Sequence, residues 1–331
     1  MPIEDFTGGG KILLAPLSGV SDSPFRRIAK SFGADCVYSE MISSEGLTRK
    51  NARSVDLAGF TQEERPIGIQ LFGKRPARMA EAARIIEEVG PDLIDINLCC
   101  PARRVVSKGG GAALLKDTAL VTEIIRAVVG ATSLPVTVKI RIGWDEDQLN
   151  ALEVTRIAEG EGAVAIGVHG RTAVQGFRGW SDWDRVAEVK DRAAIPVILT
   201  GDILAPEDVS IGFEATGCDA VMVARGSFGR PWIFGQAREY METGAYTEFP
   251  LEGIAAVALR HLDFMIEIFG EKMGVLRFRK HLLWYTKGLY GVVALRRQMS
   301  HLSMRSEVAA LLDRTISDTV KRRLARGEER P

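Results

Sequence analysis

Short apolar runs recur along the first two thirds of the chain, each followed by loop residues and then by a helix-like segment. We find eight, and they are Ile12–Ala15, Cys36–Tyr38, Ile67–Leu71, Leu93–Asn97, Val136–Ile140, Ala165–His169, Val197–Thr200 and Ala220–Val223. In most of them apolar and polar residues alternate too little for a half-exposed antiparallel strand. The runs therefore predict buried parallel strands joined by crossover helices. Eight such units in about 230 residues match a (β/α)8 TIM barrel, an α/β fold. A doubly wound open sheet has the same periodicity, but the count of eight favours closure.

Helical spacing lies between these runs. Pro76–Val89 and Thr118–Val129 place apolar residues three and four positions apart, and Gly90 follows the first segment where a helix is expected to end. Strand and helix patterns therefore alternate.

The pattern changes after Thr243. Residues 244–250 have the composition of a linker, and the spacing beyond them is helical. The helical segments are Leu251–Phe269, Leu276–Leu289 and one or two more within Ser300–Ala325, with Gly270 and Gly288 as expected stops. We predict a TIM-barrel domain over residues 1–243 and a small C-terminal helical-bundle domain over residues 244–331, which is large enough for helix packing to form a core.

Composition is that of an ordinary globular protein. The chain has 331 residues, of which 46% are hydrophobic and 26% charged. It shows no signal-peptide pattern and no apolar run of membrane-spanning length, so we expect a cytoplasmic protein without a membrane partner. The four cysteines have neither Cys-x-x-Cys spacing nor a nearby histidine cluster, which predicts reduced thiols and no metal site.

Charge is unevenly distributed although the formal net charge is zero. From Leu276 to Pro331 there are thirteen Lys and Arg residues against five Asp and Glu. A charge run of this kind is usually a solvated surface, but its one-sidedness also fits a polyanionic partner.

Chemistry-bearing residues follow the predicted strands, where barrel enzymes place their functional groups. Cys99 and Cys100 end the fourth strand, although an isolated strand-end cysteine is more often packing than catalysis. Lys139 lies in a buried run, and buried lysines need a partner, so its ammonium is expected to face an electron-rich ligand. Gly201 and Arg225 follow strands seven and eight, where barrels commonly bind phosphate, and His169 is placed to help hold the same anion.

A series of short motifs runs along nearly the whole chain in a specific order and spacing. The motifs are Ala15–Arg26, Ser39-Glu40-Met41, Asp95-Ile96-Asn97 with Cys100-Pro101, Lys139-Ile140-Arg141, His169–Thr172, Gly229–Phe234, and in the tail Arg279-Lys280-His281 with Trp284-Tyr285. In these motifs the chain resembles the bacterial tRNA-dihydrouridine synthases, most closely the B-type branch.

The resemblance implies FMN as cofactor, with NADPH or NADH as reductant, and reduction of the C5–C6 double bond of a D-loop uridine in tRNA. Hydride would pass from flavin N5 to C6, and Cys100 would protonate C5. The implied FMN contacts are Pro16, Leu17, Ser18, Gln70, Lys139, His169, Thr200, Gly201, Asp202, Ala224 and Arg225. The substrate contacts are Asn97, Arg141, Arg279 and Lys280, and we expect a monomer.

Three positions depart from the family pattern. Cys99 stands where glycine is usual, Thr200 where asparagine is usual and Ala224 where glycine is usual. The last two affect contacts made largely by backbone, so FMN binding is expected to survive. Cys99 adds a side chain beside the acid, which would crowd the uracil or form a redox pair with Cys100.

Three other interpretations remain open at this stage. The chain could be an FMN-dependent barrel oxidoreductase acting on a small molecule, although such an enzyme has no evident use for a basic tail. It could be a non-catalytic RNA-binding or regulatory protein, because a fold does not establish a function. It could also be a flavin-dependent RNA methyltransferase.

Overall fold

The computed structural model describes residues 9–326, and nine parallel strands form its sheet. The strands are β1 (Lys11–Leu14), β2 (Cys36–Tyr38), β3 (Ile42–Ser43), β4 (Ile67–Phe72), β5 (Leu93–Leu98), β6 (Val136–Arg141), β7 (Ala165–His169), β8 (Val197–Thr200) and β9 (Ala220–Val223). The eight strands predicted from sequence are confirmed, and β3 is an additional two-residue strand.

Pairing of β2 with β4 closes eight of these strands into a barrel. β3 pairs with the end of β4, beyond the closing contact. The structure thus confirms a closed parallel TIM barrel over the doubly wound alternative.

Helices cover the outside of the barrel, as parallel sheets require. In chain order they are α1 (Ser23–Ser31), α2 (Ser44–Thr48), α3 (Ala52–Ala58), α4 (Pro76–Val89), α5 (Arg103–Val106), α6 (Thr118–Val129), α7 (Ala151–Gly160), α8 (Trp183–Lys190) and α9 (Pro206–Thr216). The predicted bounds of α4 and α6 match the structure, and Gly90 ends α4 in the left-handed conformation.

The barrel interior is polar towards the carboxyl ends of β4 to β8 and apolar elsewhere, including the carboxyl ends of β1, β2 and β9. Its apolar part is a buried cluster of Leu13, Ala15, Cys36, Tyr38, Leu93, Ala165, Ile198, Ala220 and Met222. Because side chains alternate along a strand, residues two positions further on also face inward. On β5 this places Asp95 and then Asn97 above Leu93.

The polar residues lie in rows because neighbouring strands are paired in register. Gln70, Asp95 and Thr137 are direct partners on β4, β5 and β6. A second row joins Asn97 to Lys139, and a third joins Arg141, His169 and Thr200. Backbone pairing therefore fixes which polar side chains meet.

The chain divides into two compact units, Met1–Gly226 and Ser227–Pro331. Helix α10 (Ile233–Thr243) belongs to the second unit by this division, whereas the sequence pattern placed the boundary after residue 243. The boundary at 243 therefore stays a prediction.

The second unit is helical. It continues with α11 (Leu251–Phe269), α12 (Glu271–Tyr285), α13 (Val292–Met299) and α14 (Arg305–Ala325). Its core includes two fully buried histidines, His261 and His281, whose ring centroids lie 4.4 Å apart. None of the helices within residues 9–326 is long and apolar enough to cross a membrane.

Candidate active site

A buried chain of hydrogen bonds links three strands to the cysteine loop. The Thr137 hydroxyl donates to Asp95 Oδ1 at 2.6 Å, and Gln70 Nε2 donates to Asp95 Oδ2 at 2.6 Å. Gln70 Oε1 in turn accepts from Asn97 Nδ2 at 2.6 Å. We call Thr137, Asp95, Gln70 and Asn97 the polar relay, and it fixes the orientation of the Asn97 amide.

The relay ends on the backbone of the two cysteines. Asn97 Oδ1 accepts from the amide of Cys100 at 2.9 Å and from that of Cys99 at 3.1 Å. On the other side, the carbonyl of Cys100 accepts from Ala112 N at 3.1 Å. Gly111, with φ +58°, permits this approach, since a Cβ there would lie 2.6 Å from the Cys100 carbonyl oxygen.

Cys100 is half-buried, whereas Cys99 is buried. Burial raises the pKa of the Cys100 thiol above its usual value. Its thiol is therefore protonated at neutral pH, which is the state required of a proton donor.

Two buried cations, Lys139 and Arg141, lie beside this loop. Lys139 Nζ is 3.3 Å from Thr200 Oγ1 and 3.5 Å from Cys99 Sγ. Arg141 donates to the carbonyls of Cys99, Thr172 and Gly176. Neither has a carboxylate within ion-pair distance among residues 9–326. A buried cation without a counter-charge is costly, so this part of the site is suited to an anionic or electron-rich ligand.

His169 is neutral in this environment. Burial, reinforced by the charges of Lys139, Arg141, Arg171 and Arg225, holds its pKa well below the usual value. Its Nδ1 accepts from the Arg171 amide at 3.3 Å. In a neutral ring with Nδ1 as acceptor, Nε2 carries the proton, so His169 presents a donor at that atom.

The segment after β8 has an uncommon backbone conformation. Gly201 has φ +112° and Asp202 φ +59°, both left-handed. A Cβ at Gly201 would meet Ser181 Oγ at 2.6 Å and His169 Cε1 at 3.0 Å, so only glycine fits without displacement. Asp202 is held there by Arg171 Nη2 at 2.6 Å, Ser181 N at 2.7 Å and Arg225 Nη2 at 3.0 Å.

Two buried polar atoms near this segment have no hydrogen-bond partner within the described residues. They are Arg171 Nη1 and Ser181 Oγ. Unsatisfied donors beside a glycine-containing turn, with several cations around them, have the chemistry of a phosphate site. The residues present therefore fit the phosphate of a cofactor.

The loop after β1 carries Pro16, Leu17 and Ser18. Ser21 Oγ accepts from Leu17 N at 2.9 Å, and Glu40 accepts from Gly19 N. Ser18 Oγ accepts from Arg104 Nη2 at 3.3 Å. These contacts fix the loop backbone at the same end of the barrel as the cysteines.

The predicted barrel residues thus lie at or just beyond the carboxyl ends of β1, β4, β5, β6, β7, β8 and β9. Gln70, Asn97, Cys100, Lys139, Thr200 and Arg141 are joined by the contacts given above, and Asp202 contacts Arg225. Ala224 follows β9 directly and precedes Arg225.

Arg279 and Lys280 lie on α12 in the second unit. Arg279 is half-buried, and its Nη2 donates to the Leu302 carbonyl at 2.5 Å. Arg279 therefore makes a contact within the helical unit. The more exposed basic residues of this unit include Arg277, Lys287, Arg296 and Arg297.

Sequence reasoning missed three members of this arrangement. Asp95 and Thr137 read as interior strand residues, and Arg171 as part of a motif without a stated role. Register would have identified the first two, because Asp95 faces Gln70 on the adjacent strand β4 and Thr137 faces Asp95 from β6. The described residues contain no group of three or more His, Cys, Asp or Glu side chains placed to hold a metal ion.

Comparison with known proteins relates the chain to one family. Residues 13–321 match a family profile described as dihydrouridine synthase (Dus). The tRNA-dihydrouridine synthase B of Pseudomonas aeruginosa is 40% identical over 301 residues, covering 91% of each chain. That of Xanthomonas campestris is 43% identical over 291 residues, covering 87% of each.

Among solved structures, the histamine dehydrogenase of Rhizobium sp. 4-9 superposes with a TM-score of 0.51 at 13% identity. The match covers 82% of this chain and 49% of that one. At this identity the likeness concerns the barrel fold alone.

Proposed function

The chain belongs to the dihydrouridine synthase family, and we propose that it reduces a D-loop uridine of tRNA to dihydrouridine with FMN as cofactor and NADPH, or NADH, as reductant. The single observation that most supports this proposal is the polar relay, which holds the backbone of a protonated, half-buried thiol. Beside it lie two buried cations without a carboxylate at ion-pair distance among residues 9–326.

FMN would be held by the residues that follow the strands. His169 Nε2–H, the unsatisfied Arg171 Nη1 and the amides around Gly201 and Asp202 would bind the phosphate. Arg225 would contribute its guanidinium from the Asp202 side. The loop Pro16–Ser18, with Ala224 and Thr200, would contact the remainder of the cofactor.

When bound, FMN supplies the hydride that C6 of the uracil receives. Lys139 would stabilise negative charge on the electron-rich edge of the ring, because within the described part of the chain its ammonium has a hydroxyl and a thiol as its hydrogen-bond partners. Gln70 retains one amide hydrogen and one lone pair beyond its relay bonds, and these would contact the ring edge.

Cys100 would donate the proton that C5 receives. The raised pKa keeps the thiol protonated, and the relay holds its backbone at a fixed position. Asn97 and Arg141 would contact the uracil. The basic residues of the helical unit, including Arg279 and Lys280, would bind tRNA phosphates, so that affinity falls as salt rises. The target base must leave its stack to reach the barrel.

The test is nucleoside mass spectrometry after the purified protein is incubated with unmodified tRNA and NADPH. We expect dihydrouridine from the wild type and a loss of at least about a hundredfold in turnover with Cys100→Ala, the size typical of removing a general acid. Flavin content and tRNA affinity should be retained in that variant.

Cys99→Gly is the matched control because it alters the neighbouring thiol and restores the usual family residue. It should keep turnover. Normal turnover by Cys100→Ala would remove Cys100 from the mechanism, and absence of dihydrouridine with a flavin-loaded wild type would contradict the proposed reaction.

A further inference from the structure

The loop after β7, residues 170–182, presents large aromatic side chains to solvent. Trp180 is 79% exposed and Phe177 is 63% exposed. Isolated exposed hydrophobic residues are ordinary, but two aromatic residues three positions apart on one loop beside a ligand site are a candidate binding surface. We call Phe177 and Trp180 the aromatic pair.

Buried cations hold the backbone of this loop. Arg171 donates to the carbonyl of Arg178 at 3.1 Å and to that of Gly179 at 2.6 Å, directly before Trp180. Arg141 donates to the carbonyl of Gly176 at 2.9 Å, directly before Phe177. Both aromatic residues are therefore displayed on a fixed backbone, and little ordering entropy is lost when a ligand binds them.

Guanidinium groups lie against the Phe177 ring, while Asp145 and Glu146 line the same cavity as Arg178. The guanidinium carbons of Arg225 and Arg141 lie 5.3 and 5.8 Å from the Phe177 ring centroid. Arg178, between the two aromatic residues, is exposed. Asp202 pairs with both Arg171 and Arg225, so one carboxylate is shared between two cations.

An exposed aromatic ring with guanidinium groups against it is complementary to a nucleotide, which is planar at the base and anionic at the phosphate. Single-stranded nucleic acids are bound in this way, by bases stacked on aromatic rings next to Arg and Lys. A protein partner of ordinary composition would not require guanidinium groups beside the ring.

We propose that Phe177 and Trp180 form a stacking platform for unstacked nucleotides of the RNA substrate next to the uridine that enters the barrel. This inference rests on the proposed function for the identity of the RNA. It assigns to the barrel unit a direct RNA contact that does not depend on the basic helices.

The test measures binding of an unmodified tRNA transcript and of a twelve-residue oligouridylate to the full chain. Trp180→Ala and Phe177→Ala are each expected to weaken tRNA binding by roughly 5- to 150-fold, the range given by loss of one base–aromatic stack. Trp180→Phe should keep most of the affinity. Val174→Ala is the matched control, since Val174 is on the same loop, 52% exposed and not aromatic.

Salt dependence separates stacking from charge. The slope of log affinity against log salt should be the same in Trp180→Ala and the wild type, because no phosphate contact is removed. Affinities of both alanine variants within twofold of the wild type would overturn the proposal, as would an equal loss with Val174→Ala.

The outcome is distinguishable from failure of the proposed function. If the wild type forms dihydrouridine but the alanine variants bind tRNA normally, only the stacking platform is wrong. If the wild type binds RNA through the aromatic pair but forms no dihydrouridine, the platform stands and the proposed reaction is wrong.

Discussion

Asp95 is the side chain on which the geometry of the candidate site most depends. It is 3% exposed and accepts one bond from Gln70 and one from Thr137. Burial raises its pKa to about 6, against the bonds from Thr137 and Gln70, which favour the ionised form. At neutral pH it is therefore mostly a carboxylate, and as such it accepts from both partners.

Turnover should consequently fall as pH drops through about 6. Protonation turns one acceptor oxygen of Asp95 into a donor, which weakens the bond from Gln70 and loosens the Asn97 amide that holds the cysteine loop. Asp95→Asn mimics the protonated group, so it should be slower than the wild type by about tenfold at pH 7, as expected for loss of one hydrogen bond to a charged group. The measurement is kcat against pH between 5 and 8, with flavin content checked at each point.

His169 does not cause this fall in turnover at low pH, which forms the acidic limb of the pH profile, because the pKa of His169 lies well below its usual value. The limb should thus be absent from Asp95→Asn. A limb that persists unchanged in that variant would show that another group titrates, and Asp95 would have no positioning role.

At the scale of elements, α1 is joined to the 3-10 turn Gln62–Glu64 by a buried ion pair. Arg26 Nε is 2.5 Å from Glu64 Oε2, and the two side chains are 1% and 0% exposed. Arg26 also donates to the carbonyls of Ser21 and Gly59. Breaking one side of such a pair leaves an uncompensated charge in the interior.

Arg26→Met should therefore lower the free energy of unfolding by about 3–5 kcal/mol, whereas the double variant Arg26→Met with Glu64→Gln should recover a large part of it. Arg185→Ala, which breaks an exposed pair with Glu188, is the control and should change the free energy of unfolding far less. Urea denaturation measures all three. Equal costs for the buried and the exposed pair would contradict this account.

The elements predicted from sequence are those whose signal is long and regular. The eight barrel strands are apolar runs, and each was found because both faces of a parallel strand are buried. β3 was missed because two residues cannot show a period. α12 was predicted at Leu276–Leu289 but spans Glu271–Tyr285. Gly274 in its first turn packs closely against Ile266 of α11, a contact that the sequence pattern does not show.

At the scale of the whole molecule, buried carboxyl and imidazole groups respond to acid with opposite signs. Buried His169 in the first unit, whose pKa lies well below its usual value, acts in the same direction as the buried histidines of the second unit. The pKa of Asp95 is raised to about 6, so keeping this buried carboxyl ionised destabilises the first unit at higher pH. This destabilisation disappears as the pH falls through about 6. His261 has its pKa lowered to about 3 by burial, and His281 is lowered as well. Below about pH 6.5 the unfolded second unit binds protons that its folded form excludes, so its stability is lost.

Lowering pH from 7 to 5 should accordingly cost about 2 kcal/mol for His261 alone. Hydrogen exchange followed by mass spectrometry, corrected for intrinsic rates, should show faster opening of α11 and α12 at pH 5. His261→Gln should reduce this pH dependence, while His301→Gln, at an exposed position, should not. Opening that is independent of pH in the wild type would mean that the buried histidines do not control the second unit.

The residues of the candidate site that lie near strand ends could be predicted from the sequence. Cys100 follows an apolar run, His169 ends one and Lys139 lies within the last residues of one, which places them towards the carboxyl edge of a parallel barrel. The relay was not accessible, because it depends on which residues of separate strands face each other. The roles of Arg171 and the aromatic pair depend on the path of one loop, which no periodicity encodes.

The rows of register partners have a consequence for how the barrel is made. If any one strand slipped by a single residue, its inward polar side chains would turn towards the apolar layer outside, and their partners would remain buried and unpaired. The correct alignment of β4, β5 and β6 is the one in which Gln70, Asp95 and Thr137 satisfy each other. The residues that form the polar relay therefore also disfavour misaligned strands during folding. A barrel that closes in the correct register has the polar relay in place.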